Sequence, residues 1–420
     1  MSTSSADTAM PASVPVSGTL SLSAARAQFP ALENKVYLDA ASIGLCSLRT
    51  AEAVADFTRQ SLSCTAPSGT DLHGSFTAQR ENARETVARL INASRSDIAF
   101  MESATHALAV VARALPLRPG DRVLIPDTEF LQMGVVWSHL RQAGISTDLV
   151  HHQEGRLSVD AIRARMTKQT RVVAISSVQW THGYRVDLAA LAELCRQRGV
   201  WLIADAAQHV GVLPLDVQET PVDALVVSGH KWLNSPFGAG FLYLAPRLRP
   251  RLRPALRGFM AATPPRATWG ETFQHPDVTP LMDCHFTNDA RSWETGGTSN
   301  WIGAIALAAS IGIQLELGPS TVAAHALALT GQLIEELDGT PLRVVTPRDP
   351  ERRAAIATFT TGSATGDTAL MRHLLAQKIA VSVRFTSGVG GVRVSCHYFN
   401  STHDIERLAR EVRKWRPGSA

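Results

Sequence analysis

The sequence predicts an α/β protein: a mostly parallel sheet covered by helices on both faces, followed by a smaller α+β domain. Its 420 residues exceed what one small core organises and point to two domains. Between about residues 80 and 245, short β-branched apolar runs alternate with helical patterns, as in a parallel sheet buried on both faces. From about residue 300 two long helical patterns precede three strand candidates and a last helix, which marks a change of architecture. The expected organisation is a flexible tail over 1–22, a large domain over 23–300 and a small domain over 301–420. Within the large domain, 23–50 is expected to pack on the small one.

The tail MSTSSADTAMPASVPVSGTL is rich in Ser, Thr, Ala and Pro. It lacks the basic and apolar regions of a secretory signal and reads as flexible. Residues 84–90 read as a helix, 97–101 as a strand and 105–115 as an apolar helix. RVLIP at 122–126 is a strand candidate, 133–143 a helix, and RVVAISSV at 171–178 a strand. The helix over 187–198 has Asp187 as N-cap, Leu188, Leu191 and Cys195 at helical spacing, and Gly199 as its stop. Strands at 200–204, 224–227 and 240–244 complete the sheet. Further on, 303–317 and 322–337 read as helices and 355–361, 379–385 and 392–396 as strands. The last helix, 404–415, places Ile405, Leu408, Val412 and Trp415 on one face.

Composition narrows the function classes. A net charge of +4 is carried by scattered arginines, which gives no nucleic-acid stripe. No window approaches 18 uninterrupted apolar residues, so no membrane span is expected. Five widely spaced cysteines (46, 64, 195, 284 and 396) argue against a disulfide framework or a zinc ribbon. A reducing, cytoplasmic setting and no metal are the expectation.

In open α/β sheets, ligands bind beyond the carboxyl ends of the strands. There the sequence delivers Lys231, in Val226-Val227-Ser228-Gly229-His230-Lys231-Trp232, directly after a buried strand candidate. The chain has only five lysines, so a lysine here invites a role that arginine cannot fill, such as a Schiff base. Taken alone, a lysine in such a place far more often caps a strand end or snorkels to the surface. The strand at 200–204 delivers Asp205, which alone is also a common cap. After the strand at 97–101, Glu102-Ser103-Ala104-Thr105-His106 opens a helix. Its free amides at Ala104 and Thr105, with the Thr105 hydroxyl, suit a phosphate or an ordinary N-cap. Together the three match what pyridoxal phosphate needs: an amine, a carboxylate for the ring nitrogen and a helix start for the phosphate.

The segments DAAQHVG and VVSGHKWLNSPFGAGFLYL, with ESATHAL before and RVSCHYFN after, resemble the class V aminotransferase superfamily. That group includes cysteine desulfurases, selenocysteine lyases, kynureninase, isopenicillin N epimerase-like enzymes and C–S lyases. The similarity runs from Val36 to Asn400. It implies a fold-type I transferase with a seven-stranded-type sheet, pyridoxal phosphate, an amino-acid substrate and a homodimer with interfacial active sites. Lys231 then resembles the Schiff-base lysine and Asp205 the pyridinium partner, while Gln208 matches the residue that bonds the ring hydroxyl. Thr105, Ser228 and His230 match phosphate contacts, and Thr298 the threonine that reaches the phosphate of the neighbouring subunit. Phe130 stands where a ring-stacking aromatic or histidine is found, with the core as its other reading. Arg393 resembles the arginine that grips the substrate carboxylate, and Ile43, Trp180 and His182 are expected around the substrate side chain.

The pattern departs from the desulfurases at Arg384-Phe385-Thr386-Ser387-Gly388-Val389-Gly390-Gly391, where their sulfur-accepting loop cysteine is missing. Cys396 is expected to be a buried small residue. The chemistry expected is work at Cα through a lysine aldimine and a quinonoid. Transamination or C–S/β-elimination ranks first, epimerisation next and desulfuration last.

Overall fold

The computed structural model describes residues 19–254, 258–283, 285–295 and 299–416. Seven strands form the large sheet: β1 Ile98–Met101, β2 Arg122–Pro126, β3 Ser146–Val150, β4 Thr170–Ser176, β5 Trp201–Asp205, β6 Ala224–Ser228 and β7 Gly240–Leu244. They lie in the order β1-β7-β6-β5-β4-β2-β3. The run from β3 to β6 is parallel, whereas β7 is antiparallel to both β6 and β1. The connection after β6, residues 229–239, has no helix and is too short for a parallel crossover. β7 therefore turns straight back, and Lys231 is left in the loop at the carboxyl end of β6.

Alternate side chains of the strands feed two cores, one on each face. Leu124, Val173, Ile175, Leu202 and Leu225 pack with the helix α5 Leu188–Arg198. Val123, Val172, Ala174, Ile203 and Val226 pack with α3 Ala104–Ala114 and α4 Leu131–Ser138. Burial on both faces explains why these strands read as continuous apolar runs. α5 starts at its Asp187 cap and stops at Gly199, as expected. The helix expected over 133–143 is α4 followed by a 3-10 turn, His139–Ala143. β3 gave no sequence signal because it is an edge strand on which Ser146 and the apolar Leu149 are both exposed, so burial does not follow a clean alternation.

Two long helices precede the large sheet, α1 Leu48–Ser63 and α2 Gly69–Leu90, and both pack on α6 Trp301–Leu317. α6 is apolar almost all round because it is buried between layers. Among the described residues no single helix is long and apolar enough to cross a membrane.

The second sheet has the antiparallel order β8-β9-β11-β10, from β8 Arg343–Val344, β9 Ile356–Thr360, β10 Ser382–Thr386 and β11 Val389–Ser395. α7 Pro319–Glu336, α8 Ala364–Ala376 and α9 Thr402–Lys414 share one apolar cluster with it. The strand expected over 379–385 divides because its halves have different partners. Ile379–Ala380 pairs with Val36–Tyr37 near the N-terminus, and β10 pairs with β11. The N-terminal segment is further tied to this part by an Arg26–Asp404 ion pair at 2.8 Å. β10 and β11 join through Ser387 (φ 46°) and Gly388 (φ 77°), a two-residue turn with both residues left-handed.

Candidate active site

The carboxyl ends of β5 and β6, the start of α3, the strand β11 and the segment 41–44 converge on one cavity of about 390 Å³. Asp205 ends β5, Ser228 ends β6, and Gly229-His230-Lys231 follows at once. Lys231, Asp205, Gln208, Ser228, His230 and Arg393 all line this cavity. So do Ile43, Ala104, Thr105, Phe130 and Trp180. Thr298 lies outside the described residues. His182 sits behind the site, buried, with its ring nitrogens bonded to the Thr181 hydroxyl (2.9 Å) and the Gly155 carbonyl (2.8 Å).

Lys231 and Asp205 are half-buried and open onto the cavity. Burial pushes the lysine amine below its ordinary range; Asp205 opposes that shift and Arg393 adds to it. Burial likewise raises Asp205, against the opposing charge of Lys231 and a 2.8 Å bond from the Ala207 amide. Both charges are thus strained toward neutrality, a recurrent condition at reactive centres. The lysine backbone is held from the other side. The Gly44 amide donates to the His230 carbonyl at 2.7 Å, and a Cβ on Gly44 would fall 2.0 Å from the Lys231 carbonyl oxygen.

The start of α3 is capped by Ser103, whose hydroxyl accepts from the His106 amide at 3.1 Å. The amides of Ala104 and Thr105, in the first turn, have no acceptor within the helix and face the cavity. The Ser228 hydroxyl is buried and has no hydrogen-bond partner among the described residues. His230 stacks on Phe237 (4.8 Å, 23°), and burial lowers its pKa to about 4, so it is neutral at pH 7. An unpartnered hydroxyl beside free helix amides fits a phosphate, and a buried amine beside a carboxylate fits the rest of pyridoxal phosphate. Gln208 is more committed than its sequence reading implies. Its amide donates to the Ala41 carbonyl (3.0 Å) and accepts from the Trp232 indole (2.7 Å), leaving one further bond open at each end.

Arg393 is 1% exposed and enters from β11. One terminal nitrogen donates to the Trp180 carbonyl at 2.8 Å; the other donates to the Ser42 hydroxyl at 2.6 Å and to Asp39 at 3.3 Å. Its Nε is buried with no partner. Burial lowers its pKa to about 10, opposed by Asp39 and reinforced by Arg384, so it remains a cation at pH 7. The aromatic wall is Phe130 edge-on to Trp180 at 5.3 Å, with Lys231 Nζ 5.8 Å from the Phe130 centroid.

Sequence reading missed three contributors. Asp39 and Ser42 come from the N-terminal segment, which a bridge between Asp39 and Ser395 lays against β11. Glu129, next to Phe130, is buried and accepts from the Ser176 amide (2.7 Å), the Ser176 hydroxyl and the Gln179 amide (3.1 Å). Burial raises its pKa to about 7 despite those bonds, with Asp205 adding a push. An acid beside the stacking aromatic was the available signal, but its depth was not legible.

Comparisons with known proteins identify the family. The family model for class-V aminotransferases matches residues 36–408. A probable cysteine desulfurase of Methanothermobacter thermautotrophicus is 27% identical over 406 residues, covering 92% of this chain and 96% of that protein. An isopenicillin N epimerase of Amycolatopsis lactamdurans is 30% identical over 347 residues, 79% of this chain and 84% of that protein. In fold, the chain matches a cystine C–S lyase solved with cysteine persulfide (TM-score 0.83, 21% identity), covering 93% of this chain and 100% of that one. It also matches an apo cysteine desulfurase from Thermococcus onnurineus NA1 (TM-score 0.81, 23% identity, 93% and 96% covered). The chain therefore belongs to the class-V aminotransferases, a family of pyridoxal-phosphate enzymes whose cofactor this cavity fits.

Proposed function

We propose that the protein removes the Cα proton of a small amino acid or derivative and completes either transamination or β-elimination, C–S cleavage included. One observation carries this reading: proton chemistry in the cavity is one-sided. Lys231 is the single amine among the described lining residues, and burial shifts it toward the neutral form a base requires. Its aromatic neighbour Phe130 brings no second titratable group, and His230 is too weakly basic to serve as one. Transamination and elimination need one such base; a two-base epimerisation needs another.

Pyridoxal phosphate, when bound, supplies an electron sink for the charge that develops at Cα. Lys231 would tether it at rest and, once freed by the incoming amine, take the proton from Cα. Asp205 would hold the ring nitrogen, and Phe130 the ring face. The Ala104 and Thr105 amides with the Ser228 hydroxyl would hold the phosphate, next to His230. The substrate α-carboxylate falls to Arg393, whose unpartnered Nε and buried guanidinium leave a desolvated donor for it.

Sulfur delivery of the desulfurase kind is disfavoured by the Ser387-Gly388 turn, which has no thiol and is pinned in place. Its Ser387 hydroxyl donates to the Asp127 carbonyl at 2.6 Å, and its carbonyl bonds His152 at 3.0 Å. Of the described cysteines none lines the cavity, and burial lifts Cys396 to about 12. Epimerisation is the second reading, favoured by the likeness to isopenicillin N epimerases.

The decisive experiment incubates purified, cofactor-loaded protein with a panel of L-amino acids and assays keto acid, pyruvate, ammonia, sulfide and the D-enantiomer separately. Keto acid or pyruvate is the expected product. Accumulation of the D-enantiomer alone would replace the reading by epimerisation, and protein that neither binds the cofactor nor turns over any amino acid would end it. Lys231→Ala is expected to lose borohydride-trapped cofactor. The working unit is proposed to be a homodimer, checked by sedimentation.

A further inference from the structure

The lining of the cavity is unbalanced in charge. Among the described lining residues, two guanidiniums, Arg384 and Arg393, and the Lys231 amine face it against one carboxylate, Asp205. Asp205 is electrostatically coupled to Lys231, and Asp39 lies behind Arg393 as its counter-ion. Arg384 has no carboxylate within ion-pair distance among the described residues. Its guanidinium donates only to the neighbouring Val383 carbonyl (2.8 Å) and to the Ser42 hydroxyl (3.2 Å).

Strand register explains why this cation is there. Ser382 lies opposite Arg393 and Arg384 opposite Gly391, so Ser382, Arg384 and Arg393 share one face of the β10–β11 ladder. Both guanidiniums donate to the same Ser42 oxygen, so their nearest nitrogens stand two hydrogen bonds apart. They differ in depth, since Arg393 is fully buried and Arg384 half-buried. A planar, unpaired guanidinium with free N–H groups in a partly desolvated pocket is a carboxylate or sulfinate receptor by its donor geometry.

We propose that Arg384 is a second anion subsite and that the preferred substrates are amino acids with a short acidic side chain. This deepens the reading above and rests on it: the α-carboxylate occupies Arg393, and the side-chain anion reaches Arg384. Spacing by a single shared hydroxyl favours an acid on Cβ over one a methylene further out.

The test compares charge-matched pairs, L-aspartate against L-asparagine and L-glutamate against L-glutamine, by titrating the visible absorbance of the cofactor-loaded protein. This binding readout does not depend on which product forms. L-Aspartate is expected to bind at least tenfold more tightly than L-asparagine, with a smaller gap for the longer pair. Arg384→Gln is expected to lower the aspartate-to-asparagine ratio tenfold or more, and Arg384→Lys to restore part of it. Equal binding of aspartate and asparagine by the wild-type protein would overturn the proposal, whatever the variants do. So would an Arg384→Gln protein that weakens both ligands equally, which would assign Arg384 to the α-carboxylate. Failure of the broader reading looks different: no amino acid of any kind would perturb the absorbance.

Discussion

At the residue scale, function depends on charges held where solvent would normally neutralise their effect. Arg393 is the clearest case, because its burial would strengthen the pairing proposed for it with a substrate carboxylate. Arg393→Ala is expected to raise KM for amino-acid substrates by the loss of about 2–5 kcal/mol of charge-assisted binding, while kcat falls less. Steady-state kinetics check this, and an unchanged KM would place the carboxylate elsewhere. Glu129 allows a second test, through pH. Its folded-state pKa is raised to about 7, so its contribution to stability is present below its unfolded value and lost as pH rises through about 7. Relative to Glu129→Gln, the wild-type protein should lose on the order of 3 kcal/mol between pH 5 and pH 8. Thermal unfolding of both proteins across that range reads the difference, and a gap independent of pH would show an unperturbed carboxylate.

At the element scale, the site is assembled by ends rather than by bodies of elements. β5 and β6 deliver Asp205 and Ser228, α3 delivers its first-turn amides, and the segment 41–44 closes over the lysine. Gly44 is where that closure is tightest, since a Cβ there meets the Lys231 carbonyl oxygen at 2.0 Å. Gly44→Ala is expected to displace the lysine backbone and weaken cofactor binding at least tenfold, read by equilibrium dialysis. Wild-type affinity in that variant would show that the contact relaxes freely. The cap of α3 is a milder lever. Ser103→Ala removes the hydroxyl that accepts from the His106 amide and should cost about 1 kcal/mol of stability.

At the scale of the whole molecule, the loop that carries Lys231 is tied to the second sheet's part of the chain. The Trp232 carbonyl accepts from His397 (2.9 Å) and from Gln314 in α6 (2.6 Å). His397 also accepts the Tyr398 amide at its other ring nitrogen (2.8 Å), a bond available only to the neutral ring. Burial lowers its pKa to about 3, so its stabilising contribution is complete above its unfolded value near 6.5 and is lost as pH falls. Relative to His397→Gln, the wild-type protein should lose up to about 5 kcal/mol as pH drops from 7 toward 3. Denaturant unfolding at stepped pH measures this, and parallel pH profiles would exclude a buried neutral histidine.

What the sequence determined by itself was the class of fold and the cofactor. Runs such as RVLIP and ALVVS had to be strands buried on both faces, and Asp187 and Gly199 had to bound a helix. Scarce lysine after such a run, with Asp205 and a small-residue helix start, marked the cofactor chemistry. Edge strand β3 and helix α8 escaped because partial exposure blurs their periodicity. Only the tertiary structure decided what lies beside what. The β10–β11 register set Arg384 next to Arg393, and the N-terminal pairing with Ile379–Ala380 brought Asp39 and Ser42 to Arg393 and Gly44 to the Lys231 backbone. The contacts of Asp39 and Ser42 with Arg393 join residues more than 350 positions apart, and local periodicity has no term for them.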